Sequence, residues 1–134
     1  TVGMSLANRH QSIYGMDTIP EAIADAKANA KNNGFNNTHY FVGKAETLFP
    51  KWLKEGIRPN AVIVDPPRSG LERPFIDALL QLSPQKFAYI SCNPSTLARD
   101  LVPLAKHYQV DWIQSIDMFP QTARCEAVVK FTRR

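Results

Sequence analysis

The sequence predicts an α/β fold built on a doubly wound, largely parallel sheet, and three observations carry that expectation. Short strand-like runs alternate along the chain with longer runs of helical period. Two of the strand-like runs, NAVIVDPP (60–67) and KFAYISC (86–92), are almost continuously apolar, the pattern of strands covered on both faces. Prolines stand where helices would open, at Pro20 and Pro94, positions at which a missing amide hydrogen costs nothing. With 134 residues, 44% of them hydrophobic, the chain is long enough for one domain with a real core and too short for two ordinary ones. Residues 1–134 are therefore read as one domain or a piece of one.

The opening TVGMSLANRH (1–10) reads as the body of a helix with no strand ahead of it. A doubly wound fold starts with a strand and a glycine-rich turn, so the expectation is a chain that joins the fold just after its first strand. SIYGMD (12–17) is the first strand to be read, and Pro20 opens a helix with Ile19, Ile23, Ala26 and Ala30 on one face and Gly34 to end it. THYFVG (38–43) is the next strand. AETLFPKWLKEG (45–56) gives a short helical or irregular segment that Pro50 interrupts. Then come the strand NAVIVDPP, the helix ERPFIDALLQL (72–82), the strand KFAYISC and the helix PSTLARDLVPLAKHY (94–108). VDWIQSIDMFP (110–120) and ARCEAVVKFTR (123–133) close the chain as two strands, a candidate antiparallel pair at the end of the sheet. Gly15, Gly43 and Gly70 read as turn or bulge punctuation.

No apolar run approaches the length of a membrane span, and the first residues lack a basic region followed by an apolar stretch, so a cytoplasmic protein is expected. Two cysteines make no disulfide framework, and no His/Cys cluster has zinc-site spacing, so no metal is expected. His10, His39 and His107 are scattered and read as surface residues. The net charge of +4 favours a polyanionic partner such as RNA.

Four carboxylates and thiols have local contexts that point to chemistry. Asp17 ends a strand ahead of a helix, where a carboxylate can accept hydrogen bonds from both hydroxyls of a cofactor ribose or can cap the helix. On this feature alone NAD and S-adenosylmethionine are equivalent. Asp65 ends an apolar strand and is stiffened by Pro66 and Pro67, which hold it at the strand mouth where open α/β sheets bind ligands. Arg68 stands where amino-group methyltransferases carry an aromatic residue after the two prolines, which weighs against that chemistry. Cys92 lies at the C-terminal end of a buried strand, with Asn93 placed to cap the next helix and Pro94 to open it. The partial positive charge of such a helix N-terminus favours the thiolate, the nucleophilic form, although free cysteines are more often inert core. Cys125 alternates with Ala123, Ala127 and Val129 and reads as core. Glu126 shares the other face with Arg124 and Val128; its apolar neighbours would partly desolvate it, which suits a general base, while pairing with Arg124 or Lys130 is the alternative.

Together, DPPRSG (65–70), YISCNPSTLARDL (89–101) and DMFPQTARCE (117–126) resemble the RNA uracil-C5 methyltransferases, the S-adenosylmethionine-dependent family that makes 5-methyluridine in ribosomal and transfer RNA. IYGMDTIPEAIADAKANAKNNG and HYFVGKAE look like that family's second and third strand regions, so the resemblance covers essentially the whole chain. It implies a Rossmann-like class I methyltransferase sheet, Cys92 as nucleophile, Glu126 as general base, and Asp17 and Asp65 as carboxylates that contact S-adenosylmethionine. Arg68, Asn93 and Arg124 are the implied substrate contacts. Arg124 stands where the family usually carries a histidine.

The resemblance further implies that this chain is the C-terminal part of the catalytic domain. The family's first strand, its glycine-rich cofactor loop and its N-terminal β-barrel have no counterpart in these residues. The expected consequence is a gap in the sheet, closed by direct pairing of the flanking strands or by self-association, and a fragment that is inactive alone. The implied substrate is RNA, ribosomal more than transfer RNA. Amino-group methylation of a base and noncatalytic RNA binding are the competing functions.

Overall fold

The computed structural model describes residues 12–116 and 126–134. In chain order these form β1 (Ile13–Asp17), α1 (Pro20–Asn32), β2 (Thr38–Val42), α2 (Ala45–Lys54), β3 (Ala61–Val64), α3 (Arg73–Leu82), β4 (Lys86–Ser91), α4 (Pro94–Leu104), β5 (Tyr108–Ile116) and β6 (Glu126–Arg133). The chain divides into two compact units, Thr1–Phe49 and Pro50–Arg134. Their strands make two sheets, β1-β2 and β3-β4-β6-β5.

In the first unit β1 and β2 run parallel, in register from Ile13 opposite Thr38 to Asp17 opposite Val42, with α1 as the crossover. Pro20 begins α1, Glu21 lies in its first turn and Lys31 in its last, each on the side the helix dipole favours. Ile23 and Ala30, two turns apart, are its buried residues. The expected apolar face is narrower than its sequence suggested: Ile19 is the N-cap, still in extended conformation and 54% exposed, and Ala26 is half-buried. Gly34 ends the helix as expected, with Phe35 N–H donating to Ala30 O at 2.9 Å. Gly15 corrects its reading as punctuation, since it sits inside β1 directly beneath the Tyr40 ring.

The second unit holds the larger core. β4 and β6 are antiparallel and place Phe87 opposite Phe131, Tyr89 opposite Val129 and Ser91 opposite Ala127, all buried on one face. Phe87 and Phe131 stack at 5.0 Å, and Tyr108 meets Phe131 edge-on at 6.2 Å. Phe75, Ile76, Ala78 and Leu79 are the buried apolar residues of α3, and Leu97 and Leu104 those of α4. The closing antiparallel pair forms as anticipated, but β6 inserts between β4 and β5, so the last strand occupies the interior of the sheet.

Two expectations fail here. Among the described residues β3 is not covered on both faces, since its residues alternate between exposed and half-buried, Ile63 being 39% exposed, and it pairs with β4 alone. Its apolar sequence matches an interior strand, whereas among the described residues it is an edge. Pro50 does not interrupt α2, which continues to Lys54. Proline forfeits one amide hydrogen bond, and the burial of Phe49, Trp52 and Leu53 around it outweighs that loss.

Candidate functional site

Cys92 follows β4 directly and precedes α4 by one residue. The turn that holds it is pinned from both sides, because Ser91 Oγ donates to Asn93 O at 3.0 Å and accepts from Asn93 N–H at 3.1 Å. Ser91 is 3% exposed, so this turn grows out of the core. Asn93 caps α4 as its sequence predicted: it is extended, its Oδ1 accepts from Ser95 N–H at 3.1 Å, and Pro94 follows at the first helical position. The thiol is half-buried and forms no disulfide.

Glu126 opens β6 and is half-buried. Ser91 lies opposite Ala127 as the last pair of the antiparallel β4–β6 ladder, so Cys92, the next residue after β4, and Glu126, the first of β6, lie at the same end of it. Two residues 34 positions apart in the chain are thus brought to the same end of one ladder. The burial pattern of β6 agrees with the predicted faces, with Ala127, Val129 and Phe131 buried and Val128 half-buried with Glu126. Arg124 and Cys125, the other residues read from that segment, lie outside the described residues.

Asp65 follows the last residue of β3 at its C-terminal end, exposed, with Pro66 and Pro67 after it. Arg68 is exposed, and its carbonyl is held twice, by Asn93 Nδ2 at 2.9 Å and Thr96 Oγ1 at 3.0 Å. The same two residues that start α4 therefore anchor the proline loop. β3 and β4 are parallel and adjacent, so Asp65 and Cys92 emerge at the same edge of the sheet. Asp17 belongs to the other unit. It ends β1 exposed, and its Oδ1 accepts from Ile19 N–H at 3.0 Å, a local turn outside the helix rather than a bond to the first amides of α1.

Residues that sequence reading passed over complete the second unit's cluster. Asp100, on α4, is 2% exposed; its Oδ2 accepts from Leu71 N–H at 2.8 Å and from the Tyr89 hydroxyl at 2.7 Å. Its Oδ1 pairs with Arg99, whose Nη2 also donates to Ser69 O at 2.7 Å. Gly70, at φ +80°, is enclosed by this arrangement: a Cβ there would lie 2.6 Å from both Arg99 Nη2 and Asp100 Oδ2. Burial pushes the Tyr89 phenol well above its ordinary value, and the hydrogen bond to Asp100 acts in the same direction. The available signal was spacing, since Asn93, Thr96 and Asp100 fall on one helical face as polar residues within an otherwise amphipathic helix.

Among the described residues no group of three or more His, Cys, Asp or Glu could hold a metal ion, and no helix is long and apolar enough to cross a membrane. A cavity of about 550 Å³ lined by Lys27, Lys31, Phe35 and Tyr40, among others, contains none of the predicted site residues.

The family described as tRNA (uracil-5-)-methyltransferase matches residues 2–134. An uncharacterized RNA methyltransferase of Enterococcus faecalis is 64% identical over 134 residues, which is 100% of this chain and 29% of the relative. One of Lactiplantibacillus plantarum is 63% identical, over 100% of this chain and 28% of the relative. The chain thus spans under a third of the length of these curated relatives. The crystal structure of the Pyrococcus abyssi tRNA (uracil-54, C5)-methyltransferase in complex with S-adenosyl-L-homocysteine is 33% identical, with a TM-score of 0.80, over 97% of this chain and 31% of that one. TrmN from Thermus thermophilus, 17% identical with a TM-score of 0.69 over 99% of this chain and 39% of that one, shares the fold alone. The α/β arrangement is the Rossmann-like one expected from the sequence.

Proposed function

The chain belongs to the tRNA (uracil-5-)-methyltransferase family, and on that premise we propose that it supplies the catalytic centre of an enzyme that methylates C5 of a uridine in RNA. The supporting observation is the β4–β6 register, which brings Cys92 and Glu126 to the same end of the sheet, the edge where Asp65 also emerges. C5 of uracil is a weak nucleophile and needs activation. The Cys92 thiolate adds to C6, forming a sulfur–carbon bond while the C5–C6 double bond opens into an enolate that makes C5 nucleophilic. S-adenosylmethionine, when bound, supplies a methyl group on a positively charged sulfur. After C5 is methylated, Glu126 takes the C5 proton, the C5–C6 double bond re-forms and the bond to Cys92 sulfur breaks, returning the thiolate.

Asp17 and Asp65 are the residues that would hold the cofactor. The donor–acceptor chemistry fits, because ribose hydroxyls and an amino group are donors and both carboxylates are exposed at strand ends. The Asp17 turn with Ile19 occupies one oxygen and aims the carboxylate. The family resemblance carries the expectation that the 134-residue chain alone binds the cofactor weakly; a micromolar dissociation constant by isothermal titration refutes that. The outer edge of β3 pairs with no strand among the described residues, which supports self-association there, and a stable monomer by sizing chromatography counts against it.

The mechanism is tested in a chain of family length carrying these residues. RNA with 5-fluorouridine at the target cannot lose its C5 substituent as a proton, so a denaturation-resistant protein–RNA adduct accumulates, and Cys92→Ala abolishes both adduct and 5-methyluridine. Methylation retained by Cys92→Ala overturns the reading in favour of amino-group methylation, and no transfer by the parent protein favours noncatalytic RNA binding. Of the RNA classes, the family resemblance implies ribosomal RNA more than transfer RNA, whereas the Pyrococcus abyssi relative is a tRNA enzyme by its description. Mass-spectrometric mapping of 5-methyluridine in both pools, with and without the gene, assigns the target.

A further inference from the structure

We propose that Asp100 is a positioning residue, the hub of a latch that holds the Asp65–Leu71 loop at a set distance from the turn bearing Cys92. A carboxylate 2% exposed is expensive to bury, and an apolar side chain of similar size would stabilise the helix–sheet interface at least as well. What the carboxylate provides is connection. It joins the loop through Leu71 N–H, β4 through the Tyr89 hydroxyl, and its own helix through Arg99, which reaches on to Ser69 O. Tyr89 lies three residues before Cys92, α4 begins two residues after it, and the loop carries Asp65 and Arg68. Each segment of this unit that meets at the Cys92 turn or carries a neighbouring site residue, β6 excepted, is therefore tied to one buried group.

The chemical consequence concerns geometry. Attack on C6 requires the thiolate within about 3–3.5 Å of its target while the loop residues hold base and cofactor, and small misplacements of this kind cost rate more than affinity. Asn93 and Thr96 bond the same loop at Arg68 O, but through exposed contacts, whereas Asp100 bonds it from inside the core.

The inference rests on the role of Cys92 proposed above, and the experiment separates the two. In the family-length chain, Tyr89→Phe, Asp100→Asn and Cys92→Ala are compared for kcat, for KM toward RNA and cofactor, and for thermal midpoint. Tyr89→Phe removes a single hydroxyl and carries the test by itself if Asp100→Asn does not fold. Expected is a fall in kcat of about ten-fold or more with both KM values within about three-fold, in protein that still unfolds cooperatively above the assay temperature. Adduct formation with 5-fluorouridine RNA slows by the same factor. Parental kcat in folded Tyr89→Phe, or a loss that merely tracks the unfolded fraction, overturns the latch while leaving Cys92 untouched. Methylation by Cys92→Ala overturns the underlying reading whatever the latch variants do.

Discussion

Gly70→Ala probes the packing around Asp100 directly, and Gly56→Ala supplies its control. Both glycines have left-handed backbones, φ +80° and +88°, so alanine at either is strained by about 1–2 kcal/mol. Around Gly56 nothing lies within 4 Å of the added Cβ, and strain is the whole effect. At Gly70 the Cβ meets Arg99 Nη2 and Asp100 Oδ2 at 2.6 Å and Thr96 Cβ at 3.0 Å. Arg99, whose side chain is 57% exposed, can swing aside; Asp100, at 2%, has nowhere to go. Displacing it breaks bonds to Leu71 and Tyr89 and leaves a buried carboxylate short of donors, a loss of about 1–3 kcal/mol beyond strain. At a urea slope of roughly 2 kcal/mol/M, an excess of about 2 kcal/mol separates the two midpoints by about 1 M. Equal midpoints for the two variants would show that the loop yields freely, and the account of a rigid clamp would be wrong.

Alkaline pH should destabilise the fold through Tyr89 and Tyr108, whose phenols burial raises above their ordinary value. Because the folded value exceeds the unfolded one near 10, their contribution is complete below about pH 10 and is lost as pH rises, at up to about 1.4 kcal/mol per pH unit for each group. Urea midpoints between pH 8 and 11 measure this, and a slope that Tyr89→Phe leaves unchanged contradicts it. Asn93→Ala should cost about 1 kcal/mol through loss of the cap on Ser95 N–H, read as a thermal midpoint, while Asn93→Ser recovers most of it; no loss in the alanine variant speaks against the cap. Glu126→Gln should slow turnover by roughly 10²–10⁴-fold while preserving attack by Cys92, so that the protein–RNA adduct builds up even on ordinary uridine. Failure of the adduct to accumulate removes Glu126 from the proton-transfer step.

Local chemistry was legible where the deciding interactions are local. The cap by Asn93, the opening prolines and the termination of α1 at Gly34 depend on neighbours a few residues away, and each formed as anticipated. Strand alternation in β6 also held, because a period of two is written in consecutive residues. Burial of β3 is not legible for the opposite reason: its apolar residues show that it tolerates two covered faces, and only what packs above and below the sheet decides whether it has them. Pro50 shows the same limit, since the helix survives through burial of Phe49, Trp52 and Leu53, which no local propensity contains.

By itself the sequence determined the class of fold and the chemical identity of the site residues: a thiol at a strand–helix junction, carboxylates at strand ends, and three motifs whose order resembles one family. Tertiary structure decided which ends of the strands come together. Cys92 and Glu126 come to the same end of the sheet because β6 enters antiparallel between β4 and β5, a register set by long-range hydrogen bonds and by aromatic packing of Phe87 against Phe131. Asp100 reads in sequence as one more charge on a helix. Only inside the fold, where a carboxylate without donors is too costly to keep, do its bonds to Leu71, Tyr89 and Arg99 make it the point at which loop, strand and helix are joined.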